Sequence, residues 1–178
     1  MFVGGVAAGT RHVAFPAMDI DLVTRGFKRN VSLVVAHAAG LTHEDSLMQS
    51  PYNVNCFNFV VGHIITSRNA LFRNIDGEAL WSTEDGLERY RREADPIKED
   101  GPGVWKLPDL LTALAESQAK IQERLAAATP EYLDEEIEVE GRSASRNARI
   151  LFAYFHDTYH TGQVDILRQM SGKSDKVI

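Results

Sequence analysis

The 178-residue sequence contains one cysteine, Cys56, so no internal disulfide can form. A chain of this length buries a substantial core without one. A lone thiol suits a reducing compartment, so a cytoplasmic location is expected. No run of roughly 18 uncharged apolar residues is present, which excludes a membrane-spanning helix as a reading of the sequence. Basic runs are missing too. Lys and Arg number 19 against 25 Asp and Glu, a net charge of -6, which argues against a nucleic-acid partner. There is no internal repeat, no low-complexity tract and no series of strand-like alternations. The hydrophobic fraction of 44% and charged fraction of 25% are those of one ordinary globular domain.

What is present is helical periodicity. Residues 1–18 are apolar and rich in Gly and Ala, with no positive region ahead of the apolar part. They read as a loose arm rather than a secretion signal. A start at Met18, leaving the arm out of the native product, is the alternative. The first helix is expected over about Asp19–Ala39, capped by Asp19 or Asp21 and stopped at Gly40. Ile20, Val23, Phe27, Val31 and Val34 form its apolar stripe. Thr42 and Asp45 have the spacing of a capping box, so a short turn is expected there. A second helix is expected over about Asn53–Asn74, with Asn53 as its cap.

The stretch Ile75–Trp105 is polar and interrupted by Gly and Pro. Within it, Glu84–Glu93 alternates in charge and suggests a short exposed helix. A third long helix is expected over Pro108–Ala128, and Glu131–Gly141 as an extended connection without a partner strand. The last helix is expected from Ser143 or Ser145 to Met170, with Gly172 as its stop. Four long helices and no sheet give an all-α four-helix bundle over residues 19–171, with a tail over 172–178.

The chemistry-bearing residues are histidines. His156 and His160 stand at i, i+4, on one face of a helix and about 6 Å apart along it. They fall on a stripe with Phe152, Tyr159, Gln163 and Leu167 that is expected to face the core. Two imidazoles on a buried face each need hydrogen-bond partners and repel one another when charged. A shared metal ion removes both difficulties. A third ligand has to come from a facing helix. His63 is the one strong ligand in the stripe Cys56, Phe59, Val60, Ser67, Ala70 and Leu71. Taken alone His63 reads as a core histidine; taken with the pair it reads as the third ligand.

Cys56 is about 10 Å along the helix from His63 and reads as a buried inert thiol. His37 and His43 are the other candidate ligands and read more simply as solvated histidines. Three neutral nitrogen ligands leave a dipositive centre with open positions, a catalytic rather than structural pattern. Zinc is the default metal, with nickel, iron and copper as rivals. Tyr159 and Gln163 are candidates to orient substrate or to steady the ligands. Asp157 lies about 100° off the histidine face and reads as a surface or interhelix charge, and Asp165 is similarly placed.

Three segments resemble the DinB/YfiT-like group of metal-dependent bundle proteins. These are Leu41-Thr42-His43-Glu44-Asp45 with Pro51 and Asn53, then Phe59-Val60-Val61-Gly62-His63-Ile64-Ile65, and finally Gly141 through His156-Asp157-Thr158-Tyr159-His160-Thr161-Gly162-Gln163 to Leu167-Arg168. The likeness covers about Asp19–Met170, and the closing H-x-x-x-H-x-G-Q is its most specific part. It implies an up-down-down-up bundle, a homodimer, and His63, His156 and His160 as ligands. It also implies a small-molecule substrate. The wider group includes transferases and isomerases that use low-molecular-weight thiols such as mycothiol or bacillithiol. The arm Met1–Ala17 and the insert Ile75–Gly103 lie outside the likeness.

Two functions follow as expectations. One is a metal-dependent enzyme, of thiol-transferase or hydrolase type, that activates water or a thiol. The other is a non-catalytic metal-binding dimer acting in stress or sensing.

Overall fold

The computed structural model describes residues 18–52, 54–76, 78–82, 86–139 and 141–177. All of the expected arm but Met18, and the expected cap Asn53, lie outside them. Helix α1 spans Ile20–Ala38, and its N-cap Asp19 accepts the Leu22 N–H at 2.9 Å. Gly40 follows at φ +75°, a conformation that glycine adopts without strain. The short α2, His43–Ser46, has the expected capping box: Thr42 Oγ1 accepts from Asp45 N at 3.0 Å and Asp45 from Thr42 N at 2.9 Å.

Helix α3 spans Phe57–Asp76, starting later than the sequence suggests. Apolar periodicity begins only at Cys56, whereas Val54 is half exposed, so the burial that stabilises the first turn is available only from there. From Phe57 to Ile65 nearly every residue is buried, which makes α3 the most enclosed helix of the fold. Helix α4 spans Leu107–Ala126 with Pro108 in its first turn, and Thr129 caps the short α5, Pro130–Asp134.

Two expectations fail between α3 and α6. Among the described residues of the Glu84–Glu93 segment, 86–93, the chain forms a 3-10 turn, Leu87–Tyr90, rather than an exposed helix, and Leu87 and Tyr90 are buried. Glu131–Gly141 is not a bare connection either. Strand β1, Glu136–Val139, pairs antiparallel with β2, Arg142–Ser145. The partner strand, Arg-Ser-Ala-Ser, has none of the β-branched or aromatic residues that mark strands, so the pairing depends on a tight turn containing Gly141 at φ +73°.

Helix α6 spans Arg146–Met170. Ser145, not Ser143, is its cap, accepting the Ala148 N–H; Ser143 instead bonds Glu136. Gly172 closes it at φ +79°. The four long helices pack in a ring, α1 and α3 each lying against both α4 and α6. Their core has two apolar clusters. One gathers Val34, Phe57, Val61, Ile64, Leu110, Leu114 and Val164; the other Val23, Phe27, Phe72, Ile121, Leu125 and Ile150.

A buried ion pair lies between the clusters. Arg68 on α3 donates to Asp157 on α6 through Nε at 2.9 Å and Nη2 at 2.5 Å, and to Ser117 Oγ on α4 at 2.9 Å. Burial pushes the Asp157 carboxyl above the usual carboxylate range, while the guanidinium draws it back. Asp157 is therefore an interhelix charge, and the surface reading is wrong. His37 and His43 also depart from the solvated reading. His37 is 2% exposed where the end of α1 packs on α6, with Nδ1 3.7 Å from Asp165. His43 accepts the Leu107 N–H at 3.3 Å, satisfying a free donor at the start of α4 that Lys106 does not cap. Cys56 is buried as expected, and burial pushes its thiol pKa up.

Candidate metal centre

His63 comes from the middle of α3, and His156 and His160 from successive turns of α6. The packing of these two helices brings the three rings together. One nitrogen of each lies within 4.8 Å of the others. The ring centroids are 4.4 Å apart for His156–His160, 4.8 Å for His63–His160 and 5.0 Å for His63–His156. All three side chains are half-buried.

The hydrogen bonds fix the chemistry of the facing nitrogens. His63 Nδ1 is 2.8 Å from the Tyr90 carbonyl oxygen, which can only accept, so Nδ1 carries the proton. In a neutral ring Nε2 is then a lone pair, and it lies 3.2 Å from His156 Nε2. His160 Nδ1 is 2.7 Å from Gln163 Oε1, which likewise leaves Nε2 free. His156 Nδ1 is buried without a hydrogen-bond partner among the described residues. His156 Nε2 meets the His63 lone pair either as an N–H donor or, with its proton on Nδ1, as a second lone pair that needs a cation between them. Desolvation, with its charged neighbours, lowers the pKa of His156 to about 4, and burial lowers that of His63. His63 and His156 are thus held toward the neutral form, the one that ligates metal. Ligating histidines usually donate their other N–H to a carbonyl or similar acceptor, and His63 and His160 both do. The donor set is compatible with one divalent ion.

Several contributors were not legible in the sequence. The Tyr90 carbonyl comes from the insert that had no expected role. Tyr90 itself is fully buried; its hydroxyl donates to Asn58 at 3.0 Å and accepts the Trp105 N–H at 2.7 Å. Gly62 makes this approach possible, because a Cβ there would overlap the Tyr90 ring. A glycine inside a helix, next to a candidate ligand, was the available signal.

The expected histidine stripe also needs correction. The buried face of α6 is Ile150, Ala153, Asp157, Thr161, Val164 and Leu167. Phe152 and Tyr159 are 66% and 58% exposed, so the histidines sit at the edge of the buried face. The aromatic residues misled because α6 carries a second, outward apolar face. Tyr159 touches the edge of the His160 ring, with centroids 5.1 Å apart, while Gln163 holds that ring directly.

A cavity of about 540 Å³ opens beside His63, His160 and Gln163, walled by Phe59, Val60 and Leu167 among others. No helix among the described residues is long and apolar enough to cross a membrane.

A family model of the DinB superfamily matches residues 27–164, a segment that holds all three histidines. Comparison with curated proteins gives no match. Among solved structures, the crystal structure of a conserved protein from Enterococcus faecalis is similar at a TM-score of 0.69 and 16% identity, covering 87% of this chain and 98% of that one. At that identity the likeness is one of fold. The family match spans most of the chain, from α1 into α6, and on that ground the protein belongs to the DinB superfamily.

Proposed function

We propose that this chain is a metal-dependent enzyme in which His63, His156 and His160 hold one divalent ion, zinc by default with nickel or iron as rivals. The observation that carries the reading is the convergence of three ring nitrogens within 4.8 Å, with the opposite nitrogens of two rings engaged by the Tyr90 carbonyl and Gln163. A divalent ion on three neutral imidazoles lowers the pKa of a coordinated water or thiol and polarises an oxyanion. The protein's own residues prepare that chemistry. Tyr90 and Gln163 fix the ring tautomers, and Phe59 stacks on His63 with centroids 5.9 Å apart. The cavity admits a small molecule next to the histidines. The nucleophile on this reading is water or a low-molecular-weight thiol, giving a hydrolase or an S-transferase. Turnover of an electrophile that persists unchanged when all thiols are removed assigns hydrolysis; strict dependence on added thiol assigns transfer.

The up-down-down-up connection is proposed from the family likeness for this ring of four long helices, with residues 19–171 as one domain and residues 172–178 as a tail. The protein is also proposed to act as a homodimer in the cytoplasm. The dimer reading is supported by the outward face of α6, where Phe152, Phe155, Tyr159 and Ile166 are each more than half exposed. Their spacing of 3, 4 and 7 residues is that of a helix–helix seam.

A further inference from the structure

The cavity beside the histidines is polar at one end and apolar at the other. Along α6 its lining begins with His160 and Gln163 and continues with Ile166, Leu167 and Met170. At a helical rise of 1.5 Å per residue, that path is about 15 Å long. Along α3 the order is the same but runs backward, from His63 through Val60 and Phe59 to the residues before the helix, where Val54 completes the wall. Both helices therefore lead away from the histidines into mostly apolar surface, with Asn55 beside Val54 as the polar residue on the α3 side. The floor, Phe59, Val60 and Leu167, is buried, whereas Val54 is 51% exposed and Met170 partly so. Exposed apolar side chains lining a concave, ligand-sized space leave apolar area in water that a bound apolar group would cover. The charged lining residues, Arg92 and Glu93, have side chains 89% and 85% exposed at the lip. Glu93 is held there at φ +68°, the left-handed backbone that a side chain disfavours.

We propose that the ligand of this cavity is amphipathic, with a compact anionic or metal-seeking head at the histidine end and an apolar tail lying between α3 and α6 toward Met170. Small hydrophilic substrates with no tail leave most of the cavity empty. The inference rests on the metal reading for its head group and on the lining alone for its tail.

Alkyl hydroxamates separate the two, because the head chelates a metal and the tail can be lengthened. Acetohydroxamate, hexanohydroxamate and octanohydroxamate are titrated into the full chain loaded with cobalt(II), and binding is read from the visible absorption bands. Affinity is expected to rise about two- to threefold per added methylene, so that octanohydroxamate binds at least about fiftyfold tighter than acetohydroxamate. Val54→Glu and Met170→Glu, each introducing a charge on the tail path, are expected to narrow that ratio about tenfold. Equal affinity across the series overturns the inference and leaves the metal reading standing. If no hydroxamate changes the spectrum, the metal reading fails and the inference falls with it.

Discussion

Gln163 shows how much of the site depends on single side chains. Its Oε1 receives the His160 Nδ1 proton at 2.7 Å, which turns Nε2 toward His63 and His156. Gln163→Leu keeps the volume and removes the acceptor. Metal affinity is expected to fall about 10- to 100-fold, measured by competition with a chromophoric chelator, while the fold is retained. An unchanged affinity would show that Gln163 does not orient the ring. Arg68 works differently. It pairs with Asp157 in the core. Arg68→Met leaves that carboxylate buried without its partner, and a loss of about 3–5 kcal/mol is expected in urea unfolding. A double change that also makes Asp157 apolar is expected to recover much of it, since well-packed apolar replacements of buried pairs are often neutral.

Among the elements, α6 carries three jobs on three faces. Its inner face packs the core, its edge presents His156 and His160, and its outer face exposes Phe152, Phe155, Tyr159 and Ile166. Phe155→Glu places a charge in the centre of the outer seam and is expected to convert a dimer to a monomer in analytical ultracentrifugation. A wild-type monomer at the same concentration would remove the proposed seam. The helix also explains what the sequence could and could not reveal. The i, i+4 histidine pair and a serine cap at Ser143 or Ser145 are local, and local patterns are legible. Which face of α6 is buried is not local, because Phe152 and Phe155 are as apolar as any core residue. The same holds for the insert, whose polar composition hides Leu87 and Tyr90 and the carbonyl that reaches His63. Conversely, the alternation in Ile137–Glu140 was visible, but the strand partner Arg142–Ser145 has no strand composition of its own.

For the whole molecule, the lowered pKa values of His63 and His156 link stability to pH, and the three-histidine site links it to metal. The unfolded chain takes up protons on His63 and His156 near 6.5, whereas folded His156 does so only near 4 and His63 is shifted the same way. Between those values the unfolded state binds more protons, so stability of the metal-free protein rises with pH. Thermal scans of metal-free protein are expected to show Tm falling as pH drops from about 6.5 toward 4, with a smaller slope for His156→Ala. Identical slopes in the two proteins would mean that the pair does not titrate as described. Bound metal adds stability by mass action, about 2.7 kcal/mol at a free concentration of 100 Kd. Most of the frame that positions the site could be read from capping residues and periodicity. The elements that complete it, Gly62 against Tyr90 and Arg68 against Asp157, depend on contacts between distant segments.

The most direct measurement is metal content. Protein made without a histidine tag, stripped with chelator and reconstituted with zinc, is analysed by elemental mass spectrometry beside His156→Ala, His63→Ala and His160→Ala. One tightly held ion per chain in the wild type, and a large loss of occupancy in each variant that still folds by circular dichroism, is the predicted result. A wild type that retains no metal, or variants that retain as much as the wild type does, would contradict the three-histidine centre.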